Sequence, residues 1–290
     1  MPTPSVALVT GATRGAGKGI ALGLAAKGLT VYVTGRSKQI PTATLKGETL
    51  SGTLDETVTA INAAGGTGIG ITCDHSDDQQ TRRVIDQIGR EQGRLDILVN
   101  NAANIHENLI DPGGFWEKPL ELVDILDVGL RSAYVASYYA APLMIKQRYG
   151  LITFTSSFGS ACYMHGPAYG AQKVGYDKLA TDMAIDLENE NAAAVSLWLG
   201  PQLTERTEIV LRHRGEQYDE FMAFGETPQF NGRIIHALAS DEALMDKSGQ
   251  TLVTAELAME YEMTDTDGKQ PPSYRDQLGE PRIPHPARVI

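Results

Sequence analysis

Tyr169 and Lys173 carry a phenol and an ammonium group four residues apart. The apolar positions Val174, Leu179 and Met183 repeat at helical spacing after them, so both side chains should lie on one face of a helix. A free tyrosine has a pKa of about 10, and a nearby cation favours its phenolate form. The pair could therefore exchange a proton near neutral pH, as a general acid acting on a carbonyl does. The same spacing also occurs on solvated helices, and the other motifs must decide between these two interpretations.

A glycine-rich segment near the start of the chain is typical of phosphate binding. The apolar run 6–9 is followed by Gly11, Gly15 and Gly17, after which a helical pattern begins. Strand, glycine turn and helix is the order in which a helix N-terminus binds a pyrophosphate. The spacing G-x-x-x-G-x-G differs from the ordinary dinucleotide pattern G-x-G-x-x-G. A plain glycine-rich turn is the alternative.

Two arginines near this segment predict which dinucleotide binds. The strand predicted at 30–34 is followed by Gly35 and Arg36, close to where a dinucleotide fold places the group that contacts the adenosine ribose. An acidic residue there would bind a 2′-hydroxyl, whereas Arg36 and Arg14 together could hold a 2′-phosphate. We therefore expect NADP(H) rather than NAD(H). The alternative is that both guanidinium groups are solvated.

Two polar residues follow the ends of further predicted strands. Asp74 follows the strand at 68–72, and it could accept a hydrogen bond from the adenine amino group or cap the helix that starts near Asp77. Asn101 follows the strand at 95–99 within Asn-Asn-Ala-Ala. A side-chain amide and small residues at this point suit a nucleotide that lies across a sheet.

The order of the predicted elements indicates the fold. Apolar strands alternate with helical segments along 290 residues, and no linker divides the chain. We expect an α/β fold, a single Rossmann-like doubly wound domain over residues 1–265 with a central, mostly parallel seven-stranded sheet. Within and after it we predict a long loop at 37–52, long helices at 120–147 and 168–190, a substrate lid at 205–232, and a proline-rich C-terminal tail at 266–290 that is mobile or bound to a partner.

The composition excludes several classes of function. The formal net charge is −11, which argues against nucleic acid or an anionic membrane as the main partner. The two cysteines and six scattered histidines offer neither a disulfide framework nor a metal-ligand cluster. No apolar run approaches the roughly 18 residues of a membrane span. A cytoplasmic protein is the default expectation.

Four motifs in this order resemble those of the short-chain dehydrogenase/reductase family. They are Thr-Gly-x-x-x-Gly-x-Gly from Thr10, Asn-Asn-Ala-Ala from Asn100, the pair Ser156 and Ser157, and Tyr-x-x-x-Lys, which begins twelve residues after Ser157. The resemblance covers about residues 5–255. It implies that Tyr169 donates a proton, that Lys173 holds the nicotinamide ribose and lowers the pKa of the tyrosine, and that a serine positions the carbonyl.

The resemblance also assigns the serine and the cofactor contacts. Alignment of GLITFTSS without a gap selects Ser157, which we prefer, whereas the usual spacing to the tyrosine is one residue longer and would select Ser156. The positions that match cofactor contacts in the family are Gly11, Thr13, Arg14, Gly15, Gly17, Arg36, Asp74, Asn101, Tyr169, Lys173 and Thr204.

Two positions depart from the family pattern. Gly129 stands where most members carry an asparagine that supports a water in the proton relay, so the route of proton supply is open. Leu199-Gly200-Pro201 replaces the usual Pro-Gly-x, and Pro201 offers no N–H to a carboxamide.

These features together predict an NADPH-dependent carbonyl reductase that interconverts a ketone or aldehyde and an alcohol. Several large apolar side chains suggest an apolar substrate such as a steroid or aromatic ketone. These side chains are Phe115, Trp116, Tyr163, Met164, Phe221 and Phe224. One alternative is a catalytically silent nucleotide-binding regulatory protein, which Gly129 and Leu199 support. Another is an NAD(P)-linked alcohol dehydrogenase that works in the oxidative direction. The resemblance implies assembly into a homodimer or homotetramer through the two long helices.

Overall fold

A seven-stranded sheet forms the centre of the molecule in a computed structural model, which describes residues 5–214 and 222–289. The seven strands of this sheet are β1 (Val6–Val9), β2 (Thr30–Gly35), β5 (Thr67–Thr72), β6 (Ile97–Asn100), β7 (Gly150–Ser156), β8 (Ala192–Trp198) and β9 (Thr251–Val253). The short strands β3 (Thr44–Leu45) and β4 (Glu48–Thr49) form a separate pair. The order across the sheet is β5-β2-β1-β6-β7-β8-β9, and all its pairs are parallel. The predicted doubly wound α/β fold is confirmed, with a sheet that is parallel throughout.

Helices cover both faces of this sheet. They are α1 (Gly15–Ala25), α2 (Leu54–Ala63), α3 (Asp78–Gln92), α4 (Ser132–Gln147), α5 (Pro167–Leu187), α6 (Glu205–Arg214), α7 (Pro228–Ala239), α8 (Leu244–Lys247), α9 (Thr254–Glu260) and α10 (Arg275–Leu278). Side chains of α1, α2 and α7 share one buried apolar cluster, and those of α3, α4 and α5 share another. The two clusters lie on opposite faces of the sheet, which is the layer arrangement of a doubly wound fold.

The strand sequences account for this burial. All residues of β1, β6, β7 and β8 are buried, as expected for parallel strands that are covered on both faces. From β1 the chain proceeds outward through β2 to β5, and it then returns to place β6 on the other side of β1. The direction of winding therefore reverses between β1 and β6, and a crevice for a ligand forms outside the carboxyl ends of strands at such a point.

The long helix predicted at 120–147 is interrupted, and this prediction was wrong in its first half. Residues Leu120–Ile125 form a 3₁₀ helix and Leu126–Arg131 a π-helical turn before α4 begins. At the break, Gly129 adopts φ 156° and ψ −92°, a conformation that side chains with a Cβ rarely adopt. The glycine therefore ends one helical segment and lets α4 start in a new direction.

Three other segments differ from their predictions. The loop at 37–52 contains the antiparallel pair β3 and β4. The last part of the predicted lid at 205–232 belongs to α7, whose Phe230 is fully buried in the core, whereas Phe221 lies outside the described residues. The first part of the tail packs against the domain, because Pro271 is buried and Leu278 in α10 contacts the apolar cluster that includes Phe158 and Trp198. Residues 282–289 are exposed.

Glycines allow α1 and α7 to pack with their backbones in contact. A Cβ on Gly232 would lie 2.2 Å from the carbonyl oxygen of Ile20, and one on Gly23 would lie 2.3 Å from that of Gln229. Real Cβ atoms do not approach backbone so closely, so each position excludes a side chain. This contact fixes α7 against the helix that follows the glycine-rich segment.

We predict that Gly232→Ala destabilises the protein by about 1–3 kcal/mol, because overpacking must push α7 away from α1. The matched control is Gly89→Ala in α3, where the added Cβ would meet only the end of the Leu143 side chain at 3.3 Å. Alanine is the better helix former by about 1 kcal/mol, so the control should be neutral or stabilising. Urea unfolding of both variants measures the difference, and equal stabilities would contradict the account of this packing.

Candidate active site

A cleft of about 960 Å³ lies at the carboxyl ends of the central strands. It contains every site residue that the sequence predicts, and these are Gly11, Thr13, Arg14, Gly15, Gly17, Arg36, Asp74, Asn101, Ser157, Tyr169, Lys173 and Thr204. These residues are separated by up to 193 positions in the chain. The parallel sheet brings them together because all its strands end at one edge.

The hydroxyl groups of Ser157 and Tyr169 lie 3.0 Å apart. Ser157 directly follows β7, and Tyr169 lies in the first turn of α5. The turn between these elements is tight, since a Cβ on Gly159 would lie 2.6 Å from Cε1 of Tyr169. Either hydroxyl can donate to the other, and a single oxygen placed between them could accept from both.

Ser156 and Ser157 have different surroundings. The Ser156 hydroxyl is buried and donates to the backbone carbonyl of Lys173 at 3.1 Å. It therefore fixes β7 against α5, whereas the Ser157 hydroxyl faces Tyr169. The geometry favours Ser157, the serine that we preferred, for contact with a substrate oxygen.

Lys173 is held below the ring of Tyr169. Its Nζ donates to the carbonyl of Thr155 at 2.8 Å and lies 5.1 Å from the centroid of the Tyr169 ring. Burial lowers the pKa of Lys173 to about 8, although the charge of Asp177 opposes this shift. Below that pH the ammonium carries its charge, since a base is protonated below its pKa.

Burial also raises the pKa of Tyr169, and the hydrogen bond from Ser157 only partly opposes the shift. Lys173 is not among the resolved causes of this shift, so its predicted lowering of the Tyr169 pKa stays a prediction. The pKa rises because removal of the phenolate from water outweighs the hydrogen bond from Ser157. The phenol stays protonated at neutral pH.

Asp177 was missed by sequence reasoning, although it lies one helical turn after Lys173. Its carboxylate accepts hydrogen bonds from the hydroxyls of Ser160 and Ser196, both at 2.6 Å, and from the indole of Trp198. Burial raises its pKa, and these hydrogen bonds lower it. Because its partners come from the turn after β7 and from β8, Asp177 fixes α5 to both elements. The spacing Lys-x-x-x-Asp was the available signal.

The space next to Gly129, where a longer side chain would lie, is occupied by a neighbouring residue. The backbone carbonyl of Gly129 accepts from the hydroxyl of Tyr176 at 3.1 Å. A Cβ at Gly129 would lie 3.4 Å from Cγ of Gln172. Gln172 is fully buried, so its side chain occupies the space beside the family's asparagine position. No sequence signal pointed to Gln172.

The glycine-rich segment lines the cleft and packs closely on Asn101. A Cβ on Gly17 would lie 2.5 Å from the amide nitrogen of Asn101, which itself donates to the carbonyls of Thr10 and Gly11. The N–H of Gly15, at the start of α1, donates to a carboxylate oxygen of Glu205 at 3.0 Å. This helix N-terminus therefore already holds an anionic group, and its donors fit a pyrophosphate.

The predicted adenosine contacts, Arg14, Arg36 and Asp74, also line the cleft. Arg14 Nη2 donates to the hydroxyl of Ser37 at 3.3 Å and to the carbonyl of Gly52 at 3.2 Å, while Arg36 is exposed at the rim. Asp74 accepts from the backbone and the hydroxyl of Ser76. The helix cap is Asp77 instead, so the capping alternative for Asp74 is wrong.

Arg206 is a further cation that sequence reasoning missed. It lines the cleft next to Thr204 and donates to the carbonyl of Ile105 at 3.1 Å. Burial lowers its pKa, and the charge of Arg14 lowers it further. Two guanidinium groups therefore face the same part of the cleft, where a phosphate would relieve their repulsion.

Glu226 holds the loop that replaces the family's Pro-Gly-x. Its buried carboxylate accepts from the N–H of Gly200 at 3.1 Å and from the side chains of Gln202 and Asn231. Burial raises its pKa to about 7. Sequence reasoning placed this residue in the lid, and it instead fixes the backbone on both sides of Pro201.

The apolar residues predicted to contact the substrate are dispersed. Met164 lines the cleft, and Tyr163 lines a smaller pocket beside it. Phe115, Trp116 and Phe224 are largely exposed and are not among the residues that line either cavity. Leu199, Tyr274 and Leu278 line the cleft although sequence reasoning did not propose them.

Within residues 5–214 and 222–289, no group of three or more histidine, cysteine, aspartate or glutamate side chains is arranged to bind a metal ion. None of the helices in this part of the chain is long and apolar enough to cross a membrane.

Comparison with known proteins agrees with the geometry. A sequence model described as short chain dehydrogenase matches residues 5–214. Human dehydrogenase/reductase SDR family member 1 is 36% identical over 280 residues, which cover 93% of this chain and 85% of that protein. A 3-oxoacyl-[acyl-carrier-protein] reductase from Synechocystis is 29% identical, over 86% of this chain and 94% of its own length. The crystal structure of a putative dehydrogenase from Xanthomonas campestris superposes with a TM-score of 0.76 at 25% identity, covering 93% of this chain and 94% of that one.

Proposed function

This chain belongs to the short-chain dehydrogenase family, and from that premise we propose that it is an NADPH-dependent carbonyl reductase. It interconverts a ketone or aldehyde and an alcohol, with an apolar substrate such as a steroid or aromatic ketone. The observation that supports this most strongly is the 3.0 Å contact between the hydroxyls of Ser157 and Tyr169 beside the buried Lys173. These groups can bind and protonate one oxygen.

The chain's own residues account for proton transfer. NADPH, when bound, supplies the hydride. Tyr169 donates its proton to the developing alkoxide, and Ser157 donates a hydrogen bond to the same oxygen. The charge of Lys173, 5.1 Å from the centroid of the Tyr169 ring, stabilises the phenolate that remains. Because the site is buried, this attraction is stronger than it would be in water.

Protonation states support reduction as the working direction. Burial raises the pKa of Tyr169, so the phenol holds the proton that a carbonyl must receive. Alcohol oxidation needs the phenolate and is therefore favoured only at higher pH. Arg14, Arg36 and Arg206 add positive charge around the cofactor end of the cleft, which supports NADP(H) through its additional phosphate.

Exposed side chains near α4 support assembly into a homodimer or homotetramer. Val123, Tyr134, Tyr138 and Ile145 are all exposed. Three of them lie on α4 itself, and the fourth lies in the 3₁₀ helix before it. Apolar surface of this kind is typical of contacts between copies of a protein.

We predict that Tyr169→Phe lowers turnover by at least about 10²- to 10⁴-fold, the usual contribution of a general acid. NADPH binding should change little, since the ring and Lys173 remain. NADPH oxidation at 340 nm with a panel of aromatic ketones, ketosteroids and aldehydes measures the loss. The matched control is Tyr163→Phe, which removes a hydroxyl from a side chain that is 82% exposed and should have no effect. Activity of Tyr169→Phe within a few-fold of the parent would refute the assignment.

A second prediction concerns the choice of cofactor. Arg36→Ala should raise the Kd for NADPH about 10- to 100-fold, because it removes a charge-assisted contact to the 2′-phosphate. The Kd for NADH should stay within a few-fold, and fluorescence titration measures both. Arg131→Ala, which removes a similar exposed guanidinium that pairs with Asp78, should leave both constants unchanged. Equal weakening of NADPH and NADH binding would count against the assignment.

A further inference from the structure

The C-terminal segment, defined here as residues 271–279, lies beside the same cleft as Tyr169. Tyr274 and Leu278 line this cleft and pack against a buried apolar cluster that includes Phe158 and Trp198. The rings of Phe158 and Tyr274 meet edge to face, with centroids 6.2 Å apart. Phe158 directly follows Ser157, so the segment reaches the residue next to the site of the substrate oxygen.

An ion pair fixes the segment to the domain. The Arg275 guanidinium binds both carboxylate oxygens of Glu256 in α9, with Nε at 2.9 Å and Nη2 at 2.6 Å. The hydroxyl of Ser273 donates to the same carboxylate at 2.7 Å. Arg275 lowers the pKa of Glu256, which stays ionised at neutral pH. A two-point contact of this kind fixes orientation as well as position.

The short helix α10 directs its apolar side chains towards the cleft. The N–H of Leu278 donates to the carbonyl of Tyr274 at 2.8 Å, which places these two residues on one side of a helical turn. Asp276 and Gln277, between them, are exposed. On the far side, a Cβ on Gly279 would lie 3.2 Å from Cβ of Ala161, so the segment also packs closely on the turn after β7.

We infer that the C-terminal segment is a fixed wall of the substrate site, and that it takes the apolar alkyl or aryl substituent of the ketone. This rests on the proposed function, because it assumes that the carbonyl oxygen lies between Ser157 and Tyr169. Phe158, Met164, Tyr274 and Leu278 line the same cleft and pack in one apolar cluster, so they offer an apolar surface to such a substituent. Glu256 and Arg275 are positioning residues that act through Tyr274 and Leu278.

The test is a series of methyl ketones with increasing alkyl length. Leu278→Ala should lower kcat/KM for the longest ketones about tenfold or more, the usual effect of lost apolar contact in a pocket, and leave the shortest ketone unchanged. Ile283→Ala is the matched control, because it makes a comparable truncation in the same tail at a side chain that is 96% exposed. Equal profiles for the two variants would overturn the inference.

A second variant breaks the ion pair between Arg275 and Glu256 and leaves Tyr274 and Leu278 unchanged. Arg275→Ala should raise KM for the long ketones and leave kcat for the shortest ketone within a few-fold. Arg288→Ala is its control, because Arg288 pairs with Glu188 and neither residue is among those that line the cleft. Thermal unfolding of all variants separates loss of the wall from loss of the fold. A fall in kcat for every ketone, at unchanged thermal stability, would contradict a role in substrate contact.

Binding without turnover separates the two proposals. Calorimetry measures the affinity of each ketone for the NADPH complex of Tyr169→Phe, with and without Leu278→Ala. Weaker binding of long ketones in the double variant supports the wall even if the parent reduces none of them. Turnover that needs Tyr169 but ignores Leu278 would keep the reductase and overturn the wall. If no ketone binds, the wall is overturned as well.

Discussion

Removal of the Tyr169 phenol and the Lys173 ammonium from water is the constraint on which the rest of the active site depends. Burial raises the pKa of Tyr169 and lowers that of Lys173 to about 8, so both groups hold their protons at neutral pH. A buried ammonium needs fixed polar partners, and it has the carbonyl of Thr155 at the end of β7. Asp177 in turn fixes α5 to β8 through Ser196 and Trp198. Residues at the carboxyl ends of β7 and β8 therefore fix the position of α5, and with it the position of the Tyr169 phenol.

The cleft carries a local group of arginines although the protein as a whole is acidic. The protein has a formal charge of −11, so an anionic dinucleotide needs a local basic surface. Arg14 and Arg206 line the same cleft, where the charge of Arg14 lowers the pKa of Arg206, and the exposed Arg36 also lines it. The N–H of Gly15 already donates a hydrogen bond to Glu205, so a pyrophosphate that binds there must displace or share this contact.

Much of the fold and the positions of the main site residues could be predicted from the sequence. The buried strands are visible as apolar runs, and the sequence motifs directly follow the carboxyl ends of these strands. Side chains that act through tertiary contacts could not be predicted in this way. Gln172 lies beside Gly129 because the helix is interrupted there and the glycine leaves space for its side chain. Glu226 accepts a hydrogen bond from Gly200 because the chain before α7, which packs on α1, brings the two residues together. The prolines of the C-terminal tail suggested mobility or a bound partner, and no sequence signal pointed to the pairing of Arg275 with Glu256 that holds residues 271–279 against the domain.

The pH dependence of kcat/KM for NADPH-dependent ketone reduction tests the central claim most directly. The account requires a protonated Tyr169 beside a charged Lys173, and the Lys173 pKa of about 8 is the first limit that is met as the pH rises. We expect kcat/KM to be constant through neutral pH and to fall above about pH 8, by about tenfold per pH unit, as one essential proton is lost. A profile that stays flat or rises to pH 10 would show that the buried ammonium and phenol do not carry the proton transfer.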